Sequence, residues 1–78
     1  MFYVQGFYKI KRITNFNQYK DLLKKYLLSK SVKGTIILSP EGINGTIAGK
    51  KKEVNNCIEY IKDKFSIVYF DSHNTSIC

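Results

Sequence analysis

Gly34-Thr35-Ile36-Ile37-Leu38-Ser39-Pro40-Glu41-Gly42-Ile43-Asn44-Gly45-Thr46-Ile47-Ala48-Gly49 is the stretch from which the fold of this 78-residue chain can be read. Residues 35–38 form a short, nearly continuous apolar run rich in β-branched side chains, the pattern of a central strand. Ser39-Pro40-Glu41-Gly42 is turn chemistry, because proline pre-sets φ at the second position and glycine suits the fourth. Asn44-Gly45 gives a second tight-turn signal. A strand over residues 46–48 is expected after it, closed by Gly49.

Both flanks change period. Upstream, Phe16, Tyr19, Leu22, Leu23, Tyr26 and Leu27 recur at helical spacing as one apolar stripe. Thr14 or Asn15 is placed to cap that helix by accepting a bond from an early backbone N–H, and Gly34 to end the connection after it. Downstream, Val54, Cys57, Ile58, Ile61 and Phe65 stand at i, i+3, i+4, i+7 and i+11 in a helix over residues 51–64. Outside the helices, residues 7–13 alternate in part, with Tyr8 and Ile10 on one side and Lys9 and Lys11 on the other, as in a half-buried strand. Ile67-Val68-Tyr69-Phe70 reads as the last strand. The order is β-α-β-β-α-β, an α+β ferredoxin-like arrangement with two helices on one face of an antiparallel sheet. The other face is left for solvent or a partner.

Composition sets bounds. A chain this short buries only about 60–65% of the surface its unfolded form exposes, so one small domain over residues 1–78 is expected. A hydrophobic share of 44% and eleven aromatics (six Tyr, five Phe) exclude a disordered tail. No apolar run approaches the roughly 20 residues of a membrane span. The opening residues lack a basic leader ahead of an apolar core, so no secretory signal is expected, and the last residues show no lipidation or retention signal. Cys57 and Cys78 have no zinc-type or CxxC spacing. A reduced, cytoplasmic protein is the expectation.

The net charge of +7 suits a nucleic-acid partner. Twelve of the thirteen basic residues are Lys, however, and Arg12 is the only arginine. Bidentate phosphate recognition is therefore disfavoured, and charge alone weighs RNA binding equally against a solvated surface.

The segment from Gly34 to Gly49, above all Pro40-Glu41-Gly42-Ile43-Asn44-Gly45-Thr46, closely resembles the signature of the N-terminal domain of rhodanese-domain tRNA uridine hydroxylases. Phe7-Tyr8-Lys9 and the helix after Gly49 fall where that family places them, so the resemblance covers essentially the whole chain. It implies an acylphosphatase-like fold, in agreement with the element order. It also implies a parent enzyme of oxygen-dependent wobble-uridine 5-hydroxylation in tRNA. The family's reactive cysteine belongs to its rhodanese domain, within an anion-stabilising loop. Neither Cys57 nor Cys78 is followed by such a Gly-rich loop, and Cys78 reads as a junction residue. The resemblance thus implies an accessory domain with no catalytic residue, cofactor or metal of its own, whose partners are tRNA and a rhodanese domain in cis or in trans.

Six residues are candidates for binding. Turn chemistry accounts for Pro40 and the glycines better than for Glu41 and Asn44, which with Gly45 are assigned to contact with tRNA or the catalytic domain. Lys50, Lys51 and Lys52 open a helix, where positive charge opposes the dipole and a bound phosphate would relieve the conflict. Their bland alternative is a solvated cluster offset by Glu53. Val4-Gln5-Gly6-Phe7 echoes an acylphosphatase phosphate loop, yet it precedes the expected strand and no arginine follows until Arg12. His73 reads as a surface histidine. Phe2, Tyr3, Phe7 and Tyr8 could stack on bases, although residues 46–48 supply no paired aromatics as an RNA-recognition sheet would. Two competing readings are a stand-alone RNA-binding module and a small acylphosphatase-like hydrolase.

Overall fold

The computed structural model describes residues 2–77, and side chains over residues 2–71. Cys78 lies outside the described residues, as does the side chain of His73. In chain order the elements are β1 (Tyr3–Ile10), α1 (Phe16–Ser29), β2 (Lys33–Ser39), β3 (Gly42–Gly49), α2 (Lys51–Phe65) and β4 (Ser72–Ile77). The strands form one sheet in the order β2-β3-β1-β4, and every neighbouring pair is antiparallel. The expected β-α-β-β-α-β order is thus the observed one, with β1 and β3 in the centre. Strand β2, whose apolar run predicted a central strand, lies at an edge instead, where Ile36 and Leu38 still pack against the core.

Register determines which side chains meet. Phe7 lies opposite Gly45, Gln5 opposite Ile47 and Lys9 opposite Ile43, while Ile36 lies opposite Gly45 and Leu38 opposite Ile43. Because side chains alternate across a strand, these residues share one face, and Phe7, Ile43 and Ile47 are buried there beneath the helices. From α2, Val54, Cys57, Ile58, Ile61 and Phe65 all enter the core, as their spacing predicts. From α1 only Leu23 and Leu27 are fully buried. Phe16, Tyr19 and Tyr26 pack at its edge, and Leu22, expected in the stripe, is exposed. The helices join through aromatic contacts: Tyr26 stacks on Tyr60 with ring centroids 3.7 Å apart, and Tyr19 meets Phe65 at 4.7 Å.

Several local expectations are corrected. Asn44-Gly45 makes no turn, since both residues lie within β3 and pair with β1 and β2. Gly45 has a packing role instead. A Cβ built on it would stand 2.5 Å from the Thr35 carbonyl oxygen and 2.9 Å from the Phe7 ring. The glycine lets the aromatic ring cross its neighbour strand. Gly34 does not end the first helix connection either: it belongs to β2 at φ 143°, a conformation that suits glycine.

Strand β1 begins four residues before the expected start, and its faces are reversed. Tyr8 and Ile10 point away from the helices and are exposed, whereas Phe7 and Gln5 face the core. The alternation was real, but Phe7, not Tyr8, marks its buried side, and a one-residue change of phase moves every side chain to the other face. Val4-Gln5-Gly6-Phe7 is itself part of β1 and forms no loop.

Both helices end without glycine. Ser31 (φ 55°) and Ser66 (φ 55°) take the left-handed position. Val32 N–H donates to the Leu27 carbonyl at 2.9 Å and Ile67 N–H to the Lys62 carbonyl at 2.8 Å, the six-to-one bond of a Schellman ending. Asn15 precedes α1 in the left-handed region and makes no side-chain capping bond, so the expected cap is absent. After Ser66, Ile67 and Phe70 turn inward while Val68 and Tyr69 remain exposed. That spacing is a bend, not a strand. The last strand is the polar segment that follows, started by Asp71, whose N–H donates to the Tyr8 carbonyl at 2.7 Å.

Candidate functional site

Two separate surfaces carry the six candidate residues. The first lies at the turn between β2 and β3. Here Pro40 and Glu41 link the paired residues Ser39 and Gly42, and the Ser39 hydroxyl accepts from the Glu41 N–H at 3.3 Å. The two turn carbonyls have partners of their own. Glu41 O accepts from Lys11 N–H at 3.0 Å, and Pro40 O from Ile13 N–H at 3.1 Å. The Pro-Glu-Gly turn therefore anchors the segment between β1 and α1, which explains its backbone chemistry. The Glu41 side chain is exposed and borders a hollow with Asn44, Tyr8, Ile10 and Ile37.

This hollow belongs to the helix-free face of the sheet. Tyr8, Asn44 and Ile37 form one row across β1, β3 and β2. Ile10 is 66% exposed and Ile37 is 55% exposed. Next to this row a shallow trough of about 640 Å³ runs over Gly6, Thr46 and Thr35. Glu41 and Asn44 are brought together, whereas Gly45 has no side chain to offer and serves the opposite face. Sequence reasoning missed Ile10 and Ile37 as surface features. Their partners in the register carried the signal, through Phe7 as the core-facing residue of β1.

The second surface is the start of α2. Lys50 precedes the helix in extended conformation (φ −65°, ψ 139°) and makes no side-chain capping bond, leaving the early helix N–H groups without a side-chain acceptor. Lys50, Lys51 and Lys52 are exposed. Among the described residues the ion pairs are Lys9–Asp71 at 3.2 Å and Lys62–Glu59 at 3.4 Å, so none of the three has an acidic partner. Glu53 in the first turn instead accepts from the Asn56 amide at 3.1 Å. The Lys51 ammonium lies 5.7 Å from the Tyr3 ring centroid. Glu41 and the lysines stand beyond opposite ends of β3, a strand roughly 23 Å long at about 3.3 Å per residue. The structure does not join them into one site.

Chemistry on the chain's own side chains is limited. Cys57 is fully buried, and burial first, then the nearby Glu53 charge, pushes its thiol up to about 11 from an ordinary 9.0. Such a thiol is a poor nucleophile near neutrality. Among the described residues no three His, Cys, Asp or Glu side chains stand together as a metal site. Asp71 lies below the usual carboxylate range, chiefly because the Ile10 backbone N–H donates to it at 2.9 Å, with Lys9 adding to the effect. Its carboxylate works as a clasp between β1 and the segment after α2. No helix is long and apolar enough to cross a membrane among the described residues.

Comparison with known proteins agrees with this architecture. Residues 2–76 match the family described as the UPF0176 acylphosphatase-like domain. The chain belongs to that family. It is also 45% identical over 76 residues to the tRNA uridine(34) hydroxylase of Pelagibacter ubique (strain HTCC1062). The match covers 97% of this chain and 25% of that relative, so the chain spans about a quarter of its length.

Proposed function

We propose that this chain acts as the N-terminal domain of a tRNA wobble-uridine hydroxylase, where it positions tRNA on the enzyme and supplies no reacting group. The observation that carries this reading is the 45% identity across almost the whole chain to an enzyme named for its action on tRNA. Two physical features support it. The unpaired Lys50, Lys51 and Lys52 surround early helix N–H groups that have no side-chain acceptor, a combination suited to a backbone phosphate. The only described cysteine is buried with a raised pKa, which favours binding over catalysis.

The helix-free face has a different task in this proposal. Exposed Ile10, Ile37 and Tyr8, with Glu41 and Asn44 at their border, pack on the rhodanese catalytic domain. An apolar patch with a polar rim has the composition of a protein interface. The basic end of β3 then faces tRNA while the turn end meets the enzyme body.

The test replaces Lys50, Lys51 and Lys52 together by Glu in the enzyme that carries this domain, and follows labelled tRNA by fluorescence anisotropy across a salt series. Affinity should fall, and the slope of log K against log salt should flatten by about 2–3, roughly 0.7–0.9 for each of the lost phosphate contacts. Unchanged affinity and slope would remove the lysines from the tRNA surface.

A further inference from the structure

The two edges of the sheet are built differently. Edge strand β4 has the polar sequence Ser-His-Asn-Thr-Ser-Ile. Edge strand β2 is Lys-Gly-Thr-Ile-Ile-Leu-Ser. Exposed edges are normally protected by charge, proline or a bulge, because their outward N–H and C=O groups pair readily with any extended chain. In β2 such protection stops at Lys33 and Gly34. From Thr35 to Leu38 the free edge has only β-branched and apolar residues.

A groove lies beside this edge. One wall is the α1 stripe Lys20, Leu23, Lys24, Leu27, at helical positions i, i+3, i+4 and i+7; the other is β2 from Gly34 to Leu38. Its volume is about 230 Å³. The connection between α1 and β2 is only residues 30–32, so the helix runs back along the strand. Leu27 and Gly34 consequently lie towards one end of the groove and Lys20 and Leu38 towards the other. The groove is apolar at one end and cationic at the other. Neither Lys20 nor Lys24 has an acidic partner among the described residues.

From these features we infer that β2 is a docking edge for a partner protein, which adds an extended segment as a fifth strand and carries apolar residues beside acidic ones. Backbone bonds to the outward groups of residues 35–38 would supply affinity, and alternate side chains entering the groove would supply specificity. The partner's apolar residues fill the space over Gly34 against Leu23 and Leu27. Its acidic residues meet Lys24 and Lys20. Charge argues against a second copy of this chain. Pairing β2 with itself would bring two sets of Lys20 and Lys24 together on chains of net charge +7 each. This edge adjoins the helix-free face, with which it shares Thr35 and Ile37, and is separate from the start of α2.

The test uses the isotope-labelled 78-residue chain and two synthetic peptides, acetyl-Asp-Glu-Thr-Val-Thr-Val-Thr-amide and its counterpart with Lys-Lys in place of Asp-Glu. The acidic peptide should shift the amides of residues 35–38 and protect those that point away from β3, and should bind at least about tenfold more tightly than the basic one. In the double variant Lys20→Glu, Lys24→Glu that preference should reverse; both residues are exposed, and circular dichroism verifies that the fold is kept. Failure of the acidic peptide to protect these amides, or equal binding of both peptides, would overturn the proposal. A concentration-dependent dimer in sedimentation that protects the same amides would also overturn it, because the edge would then belong to a second copy.

Discussion

Ile43 and Asn44 are neighbours on β3, yet they obey different constraints. Ile43 and Ile47 face the helices and are almost wholly inaccessible, and Gly45 between them has space for nothing larger than hydrogen. Asn44 and Thr46 face the other way and are exposed, with Tyr8 and Ile37 beside Asn44. On the helix side each residue is chosen by volume. On the open side no element covers it, so apolar residues such as Ile37 have no packing reason within this domain. A single strand therefore separates what folds the chain from what is free to meet a partner.

The largest expected effect follows from adding volume to the crowded side. In Gly45→Val the new Cβ would meet the Thr35 carbonyl oxygen, the Phe7 ring and the Ile36 Cα, at 3.0 Å or less in every case. Two of these three contacts are backbone, which cannot rotate away. The cost is expected to be about 3 kcal/mol or more, and a domain this small has about 3–5 kcal/mol in total. At most about 2 kcal/mol would remain, so the urea midpoint read by far-UV circular dichroism should fall to less than half its native value. A native urea midpoint would mean that the strands slide apart easily, and the contrast between the two faces would lose its basis.

Cys57 gives a second, smaller effect on the same side. Its folded thiol stands near 11 against an ordinary 9.0, so between these values the unfolded chain releases a proton that the folded chain keeps. Stability from this group is complete below about pH 9 and is lost as pH rises towards 11, to the order of 2 kcal/mol. Comparing urea midpoints of the native chain and Cys57→Ala through this range isolates the contribution of the cysteine. Equal pH dependence for both would mean that solvent reaches the thiol.

The element order was legible because helix and strand periods differ, and α2 was read almost residue for residue from its five buried positions. Three things were not. The phase of β1 was missed because Tyr8 and Ile10 are as apolar as core residues, although they lie on the open face. The left-handed serines that follow α1 and α2 were not foreseen, because Ser31 and Ser66 take a conformation that usually announces itself by glycine. The last strand was missed because Ile67-Val68-Tyr69-Phe70 has strand composition, while the segment that pairs with β1 is the polar one after it. In each case local composition yielded to a tertiary contact. The candidate site divided in the same way: Glu41 and Asn44 border one hollow, Asn44 from β3 and Glu41 from the turn before it, but the lysines stand a full strand away.

The smallest effect provides the strictest test of the open face. Ile10→Thr and Ile37→Thr keep β-branching, so strand preference is preserved while an apolar surface becomes polar. Both positions are more than half exposed. Each change should move the stability of the isolated chain by no more than about 0.5 kcal/mol, read from urea midpoints. In the proposed full-length hydroxylase the same changes should loosen the attachment of this domain, seen as faster proteolysis at its boundary, since the apolar surface proposed to be covered there would become polar. A large loss in the isolated chain would show that Ile10 and Ile37 support the fold directly. No loss in either setting would leave the open face a solvated surface, and the contact with the catalytic domain would have to be sought elsewhere on the molecule.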